Sequence, residues 1–220
     1  MAQRTSIEWA THTWNPTRGC SRVSEGCRNC YAEIMAARFS RPGLWGERFA
    51  EIRQGEHRWS GQVELVSSML DWPLRRRPGG DRRRIFVNST SDLFHERLVD
   101  EDIAAVIGVI AACPGDDFLV LTKRAERLPK WSAWAARTEH AGTLGERFDP
   151  VARCAGAAHA RLPEEIERAA CANAARGHSQ SWPPPNLWLG VSVEDQATAD
   201  ERIPHLLATP TAVRFVSYEP

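Results

Sequence analysis

The chain has 220 residues, 42% of them hydrophobic and 25% charged, so it can form a packed core, which argues against wholesale disorder. Its formal net charge is zero, so overall charge does not point to nucleic acid or to a membrane surface. No apolar run approaches the roughly 20 residues of a membrane span, and residues 1–15 lack the apolar core of a signal peptide. The sequence therefore predicts a cytoplasmic protein with a single domain over residues 1–220.

Six segments have the composition of β-strands, and helices follow most of them. The predicted strands are a segment ending near Pro16, then 62–66, 84–88, 117–122, 186–193 and 211–217. Helices are predicted over about 31–39, 67–75, 125–137 and 196–207, and from Asp100 to just before Pro114, whereas residues 44–60 are predicted as loop. Such alternation builds a parallel α/β sheet with right-handed crossovers. Six strands, with an insertion at about 138–185 that includes a helix near 163–175, fit a partial TIM-like (β/α)6 barrel.

Three cysteines, Cys20, Cys27 and Cys30, follow the first predicted strand in the spacing C-x6-C-x2-C. In a reducing compartment, clustered cysteines indicate metal ligands rather than disulfides. Three thiolates leave a tetrahedral metal or a four-iron cluster one ligand short. A fourth protein ligand would complete a structural zinc site, whereas an open position would admit a substrate or cofactor to an iron–sulfur cluster. The other cysteines, Cys113, Cys154 and Cys171, are isolated and are interpreted as buried or incidental.

Polar side chains also gather where the predicted strands end, at the edge where parallel α/β folds bind ligands. They are Asn88, Ser91, Asp92, Thr122, Lys123, Arg124, Ser192, Glu194, Asp195, Ser217 and Glu219. Helix capping is the alternative explanation for single acidic residues such as Asp92 or Asp195. Capping does not explain the Lys123–Arg124 pair or the Glu194–Asp195 pair, so a shared site is the favoured interpretation. The neighbouring His95 and Glu96 belong either to this site or to an exposed surface.

An arginine-rich stretch at 75–84 contains six arginines and resembles a phosphate-binding patch. A solvated loop is the favoured interpretation, because a loop that enters a barrel strand lies on the face opposite the active site.

Seven blocks of the sequence resemble the phage Gp37/Gp68 family of uncharacterised proteins (DUF5131). They are residues 5–9, 13–20, the three cysteines with 31–33, 87–89 with 92–95, 121–124, 188–195, and 214–217 with 219–220. The family in turn resembles radical S-adenosylmethionine (SAM) enzymes, which carry three cysteines after the first strand of a partial barrel. Two departures matter. Radical SAM enzymes usually have the spacing C-x3-C-x2-C, and the family continues beyond residue 220, so the chain is expected to be C-terminally truncated.

The resemblance implies that the three cysteines hold a [4Fe–4S] cluster whose open iron takes SAM, and that SAM is cleaved to a 5′-deoxyadenosyl radical. Lys123 or Arg124 would then suit the SAM carboxylate, and Glu194, Asp195 or Glu219 its ribose or sulfonium. An electron donor would be required as a partner. The substrate is not indicated, and zero net charge gives no support to nucleic acid.

A zinc-stabilised binding protein without catalysis is the second hypothesis, with nucleic acid as one conceivable partner. His12, eight residues before Cys20, would then supply the fourth ligand. This hypothesis leaves the polar residues at the strand ends unexplained.

Overall fold

A computed structural model describes residues 3–75, 80–137, 150–162 and 181–219. The strands are β1 (Gln3–Arg4), β2 (His12–Trp14), β3 (Thr17–Arg18), β4 (Ala50–Arg53), β5 (Glu56–Trp59), β6 (Glu64–Leu65), β7 (Arg84–Val87), β8 (Asp117–Thr122), β9 (Leu187–Val193) and β10 (Val213–Tyr218). The helices are α1 (Tyr31–Arg38), α2 (Asp100–Ala111), α3 (Arg127–Ala135), α4 (Pro150–His159) and α5 (Gln196–Leu207).

The main sheet has the strand order β1-β2-β7-β8-β9-β10. The five strands from β2 to β10 are parallel neighbours, with His12 opposite Ile85, Ile85 opposite Phe118, and Val213 opposite Trp188. Strand β1 adds an antiparallel edge beside β2. The predicted α/β class with a parallel sheet is confirmed, and the carboxyl ends of all five parallel strands lie along one edge.

The predicted second strand, 62–66, is wrong as a member of this sheet. Its paired part, Glu64–Leu65, forms a two-residue antiparallel bridge with Thr17–Arg18. The sheet has no place for it, because β1 occupies one side of β2 and β7 occupies the other. Among the described residues, the parallel sheet therefore has five strands and not the six of the predicted (β/α)6 arrangement.

Two local predictions between residues 44 and 75 are also wrong. The predicted helix over 67–75 is broken into two 3₁₀ turns, Ser67–Met69 and Pro73–Arg75. Pro73 has no N–H to give to the Met69 carbonyl, which instead accepts a hydrogen bond of 2.7 Å from the indole of Trp14. The predicted loop over 44–60 contains the β4–β5 hairpin, whose two-residue turn at Gln54 and Gly55 has positive φ at both positions.

The other helix predictions hold to within a few residues, and α2 forms the centre of the core. Its side chains from Ile103 to Ile110 are almost all fully buried, between the sheet and α4. A Cβ on Gly108 would lie 2.1 Å from the Cys154 carbonyl oxygen, so glycine is what permits α4 to approach this closely. Cys113 and Cys154 are both buried, which fits their interpretation as incidental.

Three of the predicted features lie outside the described residues, namely the helix near 163–175, Cys171 and the arginines at 76–77. Within the described ranges, none of the helices has the length and apolar character needed to cross a bilayer.

Candidate functional site

A cavity of about 1010 Å³ opens at the carboxyl edge of the parallel sheet. Its wall contains all three clustered cysteines, Cys20, Cys27 and Cys30. It also contains nine residues predicted from the strand ends: Asn88, Ser91, Asp92, Thr122, Lys123, Arg124, Ser192, Ser217 and Glu219. The predicted Glu194 and Asp195 are not among the described residues that line it. The structure therefore brings most of the predicted site together around one ligand-sized space.

The cysteine loop, residues 19–30, leaves β3 through a turn that only glycine permits. Gly19 has φ +81°, and a Cβ there would lie 1.9 Å from the Gln62 carbonyl oxygen. The loop continues through a 3₁₀ turn at Glu25–Cys27, and Cys30 is the residue that precedes α1. The three thiols consequently reach the cavity from the start, the middle and the end of one short loop.

Cys20, Cys27 and Cys30 are not in disulfide bonds, and their thiols have different surroundings in the cavity wall. Burial raises the pKa of the Cys20 thiol to about 12, although the neighbouring Arg124 opposes the rise, and burial also raises the pKa of Cys30. Among the described residues, no three His, Cys, Asp or Glu side chains are already gathered as a metal-binding group. The donor set nevertheless suits a thiolate-ligated cluster, since three free cysteines line one cavity.

His12 does not lie with the cysteines. Its ring is 5.9 Å from that of Trp72, and it lies on β2 opposite Ile85, near the amino ends of the strands. Burial, followed by the charge of the neighbouring Arg83, lowers the pKa of His12. The residue proposed as the fourth ligand of a zinc site is therefore at the other edge of the sheet.

Arg124 connects the cysteine loop to the polar residues that follow β7 and β8. Its guanidinium Nη1 lies 3.8 Å from the Cys20 Sγ and 3.2 Å from an Asp92 carboxylate oxygen. Its Nη2 donates to the Ser21 carbonyl at 2.9 Å and to the Ser21 hydroxyl at 2.8 Å. Nε donates to Glu96 at 2.7 Å. Asp92 also accepts hydrogen bonds from the Thr122 hydroxyl at 2.8 Å, so it ties β7 to β8.

His95 is a buried member of this network, whereas Glu96 is largely exposed. The His95 Nε2 lies 2.9 Å from the Ser21 hydroxyl, and Nδ1 accepts a hydrogen bond from the Arg97 backbone N–H. Burial lowers the pKa of His95 to about 4, and the charge of Arg124 adds to the effect. The ring is therefore neutral at pH 7 with its proton on Nε2, from which it donates to Ser21.

Lys123 and Glu219 form the second polar group of the cavity. The Lys123 ammonium lies 2.7 Å from one Glu219 oxygen and 3.1 Å from a Glu194 oxygen. The other Glu219 oxygen accepts from the hydroxyls of Ser192 at 3.2 Å and Ser217 at 3.1 Å. Side chains from the ends of β8, β9 and β10 thus converge on one carboxylate.

The paired acidic residues Glu194 and Asp195 have different surroundings. Asp195 caps α5: its carboxylate accepts a hydrogen bond of 2.8 Å from the Thr198 backbone N–H. In return, the Asp195 backbone N–H donates a hydrogen bond to the Thr198 hydroxyl oxygen. Glu194 bonds to Arg202 at 3.0 Å and accepts from the Ser24 hydroxyl in the cysteine loop at 3.1 Å. The capping explanation considered for Asp195 is therefore what the structure shows for its side chain.

Two contacts near the cysteines were not predicted from the sequence. Glu33, buried in α1, accepts hydrogen bonds from Arg22 Nε at 2.9 Å and from the Trp59 backbone N–H at 2.7 Å, so the loop is fixed to the β4–β5 hairpin. The Tyr31 hydroxyl donates to the Ser89 carbonyl. The position of Glu33 on the inner face of a short helix indicates that its carboxylate needs a buried partner. The sequence does not show which residues supply it, because Trp59 is remote in sequence.

The arginine-rich stretch lies at the opposite edge of the sheet. Arg82 forms an ion pair with Asp117, with Nε 2.7 Å from a carboxylate oxygen, and Arg83 pairs with Asp116 at 2.5 Å. Both aspartates precede or begin β8, opposite Arg84 at the start of β7. For the described arginines, the interpretation as a loop away from the cavity is consistent with this position.

The parallel sheet and the cysteine-lined cavity define an α/β protein with a ligand-sized site at the carboxyl edge of its strands. The chain matches the family of proteins of unknown function DUF5131 over residues 4–220, and it belongs to that family.

A comparison with curated proteins found no match. Among solved structures, the chain is similar to a cysteine-to-alanine mutant of spore photoproduct lyase with dinucleoside spore photoproduct. The two share 10% sequence identity with a TM-score of 0.50, over 99% of this chain and 47% of the other. This chain therefore spans about half the length of that protein, and at such low identity the likeness shows a shared fold.

Proposed function

We propose that the chain is a radical SAM-like iron–sulfur protein built on a partial barrel. The observation that carries the proposal is that three free cysteines from one loop share a cavity with the polar residues of four strand ends. The fold supports it, because the similar solved structure is of a radical SAM enzyme.

Cys20, Cys27 and Cys30 would hold a [4Fe–4S] cluster, leaving one iron open for SAM. When bound, such a cluster supplies the electron that cleaves SAM reductively. The loop would have to draw its three thiols together and release their protons as it takes up metal, as ligand thiols generally do.

Lys123 and Glu219 are the residues that would orient SAM at the cavity wall. The Lys123 ammonium has three N–H groups, and the described partners engage two of them through Glu219 and Glu194. It therefore has a donor to offer a carboxylate. Glu219 is about 43% exposed at its side chain, so it can turn toward a ribose hydroxyl or a sulfonium. Ser192 and Ser217 add two hydroxyls on the same side.

Thr122, Asn88 and Ser91 would shape the wall rather than bind charge. The Asn88 amide oxygen accepts the Thr17 N–H at 3.3 Å, and Ser91 bonds to Thr17 through its hydroxyl. These contacts fix the strand end that faces the cysteine loop. The substrate, and the electron donor that the reaction requires, stay outside what these residues identify.

Anaerobic reconstitution with iron and sulfide tests the proposal directly. We expect about four irons per chain and absorbance at about 400 nm, followed by SAM binding in calorimetry and release of 5′-deoxyadenosine under reducing conditions. Stoichiometric zinc with no iron uptake would instead support the zinc-stabilised binding protein. A loaded cluster with neither SAM binding nor cleavage would contradict the SAM part of the proposal alone.

A further inference from the structure

Arg124 is fully engaged by protein atoms. A guanidinium has five N–H groups. In Arg124 they meet five acceptors: a Glu96 oxygen, an Asp92 oxygen, the Cys20 sulfur, and the carbonyl and hydroxyl of Ser21. The residue is only 7% exposed. It has no donor left for a ligand in the cavity, unlike its neighbour Lys123.

The opposite side of the cysteine loop has a similar attachment through Glu194. Its carboxylate accepts the Ser24 hydroxyl at 3.1 Å and is itself held by Arg202 at 3.0 Å. A Cβ on Gly26 would lie 2.4 Å from the Glu194 side chain, so the loop backbone and this carboxylate are in close contact. Glu194 is thus packed against the turn that contains Cys27.

We infer that Arg124 and Glu194 are positioning residues that attach the cysteine loop at two points to the ends of β8 and β9. Arg124 holds the start of the loop at Cys20, and Glu194 holds the turn that contains Cys27. Both residues had been candidates for SAM binding, but their hydrogen bonds are directed at the loop. The attachment is made by protein atoms alone, and only its effect on a bound cluster rests on the proposed function.

The first test uses the purified full chain without metal. Alkylation of each cysteine by iodoacetamide is followed by peptide mass spectrometry. Arg124→Lys keeps the positive charge beside Asp92, but an ammonium has three donors and lacks the planar fork, so it cannot reproduce the contacts to Ser21 and Cys20. Because Arg124 also lowers the pKa of Cys20, rates are measured as a function of pH and compared for the thiolate form. For this form we expect Cys20 to be alkylated at least about ten times faster, the effect of losing one charge-assisted hydrogen bond or more.

The pattern across variants separates positioning from general loosening. Glu194→Ala should accelerate alkylation of Cys27 more than that of Cys20, the reverse of Arg124→Lys. Lys123→Ala removes the adjacent cation and should leave Cys20 at the wild-type rate. Arg161→Gln, which removes a half-buried arginine paired with Asp102 on the far side of α2, is the matched control and should change neither rate.

Circular dichroism checks that each variant folds. If Arg124→Lys does not fold, Ser21→Ala removes one acceptor of Arg124 and should accelerate alkylation of Cys20 by a smaller factor. Rates within twofold of wild type in both folded variants would overturn the inference. Equal acceleration of all three cysteines in Arg124→Lys would also overturn it, because this would indicate global loosening.

The second test uses the reconstituted protein. An N–H donor aimed at a cluster-ligating sulfur raises the reduction potential, so Arg124→Lys should lower the midpoint potential relative to wild type and Arg161→Gln. If the midpoint potential is unchanged while alkylation of Cys20 is accelerated, Arg124 positions the loop but does not influence a bound cluster. If wild type takes up no iron, the proposed function fails while the alkylation test still decides the positioning roles.

Discussion

The two edges of the parallel sheet both carry paired charged side chains, and they differ in what those side chains face. At the amino edge, Arg82 and Arg83 pair with Asp117 and Asp116, two adjacent residues at the start of one strand. At the carboxyl edge, Lys123 and its partner Glu219 come from different strands and border a cavity of about 1010 Å³.

This difference shows why arginine content alone does not indicate a ligand site. Arg82 and Arg83 are neutralised by aspartates at the start of the neighbouring strand β8, away from the cavity, so folding itself uses their charges. A cation whose carboxylate partners come from remote strands, around an open space, can exchange one partner for a ligand. Substitutions at the two edges should therefore have different effects on metal and ligand binding.

The largest expected effect is on metal uptake. Cys20→Ser, Cys27→Ser and Cys30→Ser should each abolish iron loading, because each removes one of three ligands. Cys113→Ser and Cys154→Ser change buried thiols outside the cavity and should load iron normally. Iron analysis after anaerobic reconstitution measures this, and iron loss in Cys154→Ser would place a ligand in the insertion.

A smaller effect is expected on SAM affinity. Lys123→Ala removes a charge-assisted hydrogen bond at the cavity wall and should weaken SAM binding by roughly 10- to 150-fold while leaving the cluster absorbance intact. Arg82→Ala, at the amino edge, is the matched control and should bind SAM as wild type does. Titration calorimetry distinguishes them, and equal weakening in both variants would remove the distinction between the two edges.

Stability should depend on pH through His95. Its pKa is lowered from the ordinary 6.5 to about 4, so between these values the unfolded chain binds a proton that the native state does not. The free energy of unfolding of the metal-free protein should therefore fall as pH drops from 6.5 to 4, by up to about 3 kcal/mol. Urea unfolding of wild type and His95→Gln at both pH values checks this, and an equal pH dependence in the two would exclude His95 as its source.

The smallest effect distinguishes Asp195 from the cavity residues. Asp195→Ala removes the cap of α5 and should lower the thermal unfolding temperature slightly. Because Asp195 lies outside the cavity wall, SAM affinity should not change. Thermal unfolding and calorimetry on the same sample test both statements, and a large loss of SAM affinity would return Asp195 to the site.

The sequence was sufficient for elements whose structure depends on local pattern. The periodicity of α2 and the apolar run of β8 predicted their bounds closely, because both patterns are local in sequence. Capping of α5 by Asp195 was only the alternative interpretation, and the structure shows that cap. The cysteine spacing and the polar strand ends predicted the location of the site, since parallel strands end at one edge.

Partners that are remote in sequence were not predictable in this way. Nothing near Arg124 in the sequence indicates that its five N–H groups meet Asp92, Glu96, Ser21 and Cys20, so its charge was interpreted as available to a ligand. Glu64–Leu65 alternates like a core strand, yet both sides of β2 are already occupied. The helix predicted over 67–75 does not form as one element. The Met69 carbonyl accepts its hydrogen bond from the indole of Trp14, more than 50 residues away in sequence.

The strand registers also have a consequence for how the protein folds. Pairing of β9 with β10 joins residues 25 apart in sequence, whereas pairing of β2 with β7 joins residues 73 apart, which costs about 1 kcal/mol more in loop-closure entropy. Pairing of β7 with β8 joins residues 33 apart, whereas pairing of β8 with β9 joins residues 69 apart. We therefore expect the β7–β8 and β9–β10 units to form first, so the cysteine loop that follows β2 stays unshielded while these units form. Metal delivery during this interval would avoid opening the finished cavity. Pulsed hydrogen exchange during refolding checks the order, and early protection of His12 and Thr13 amides would contradict it.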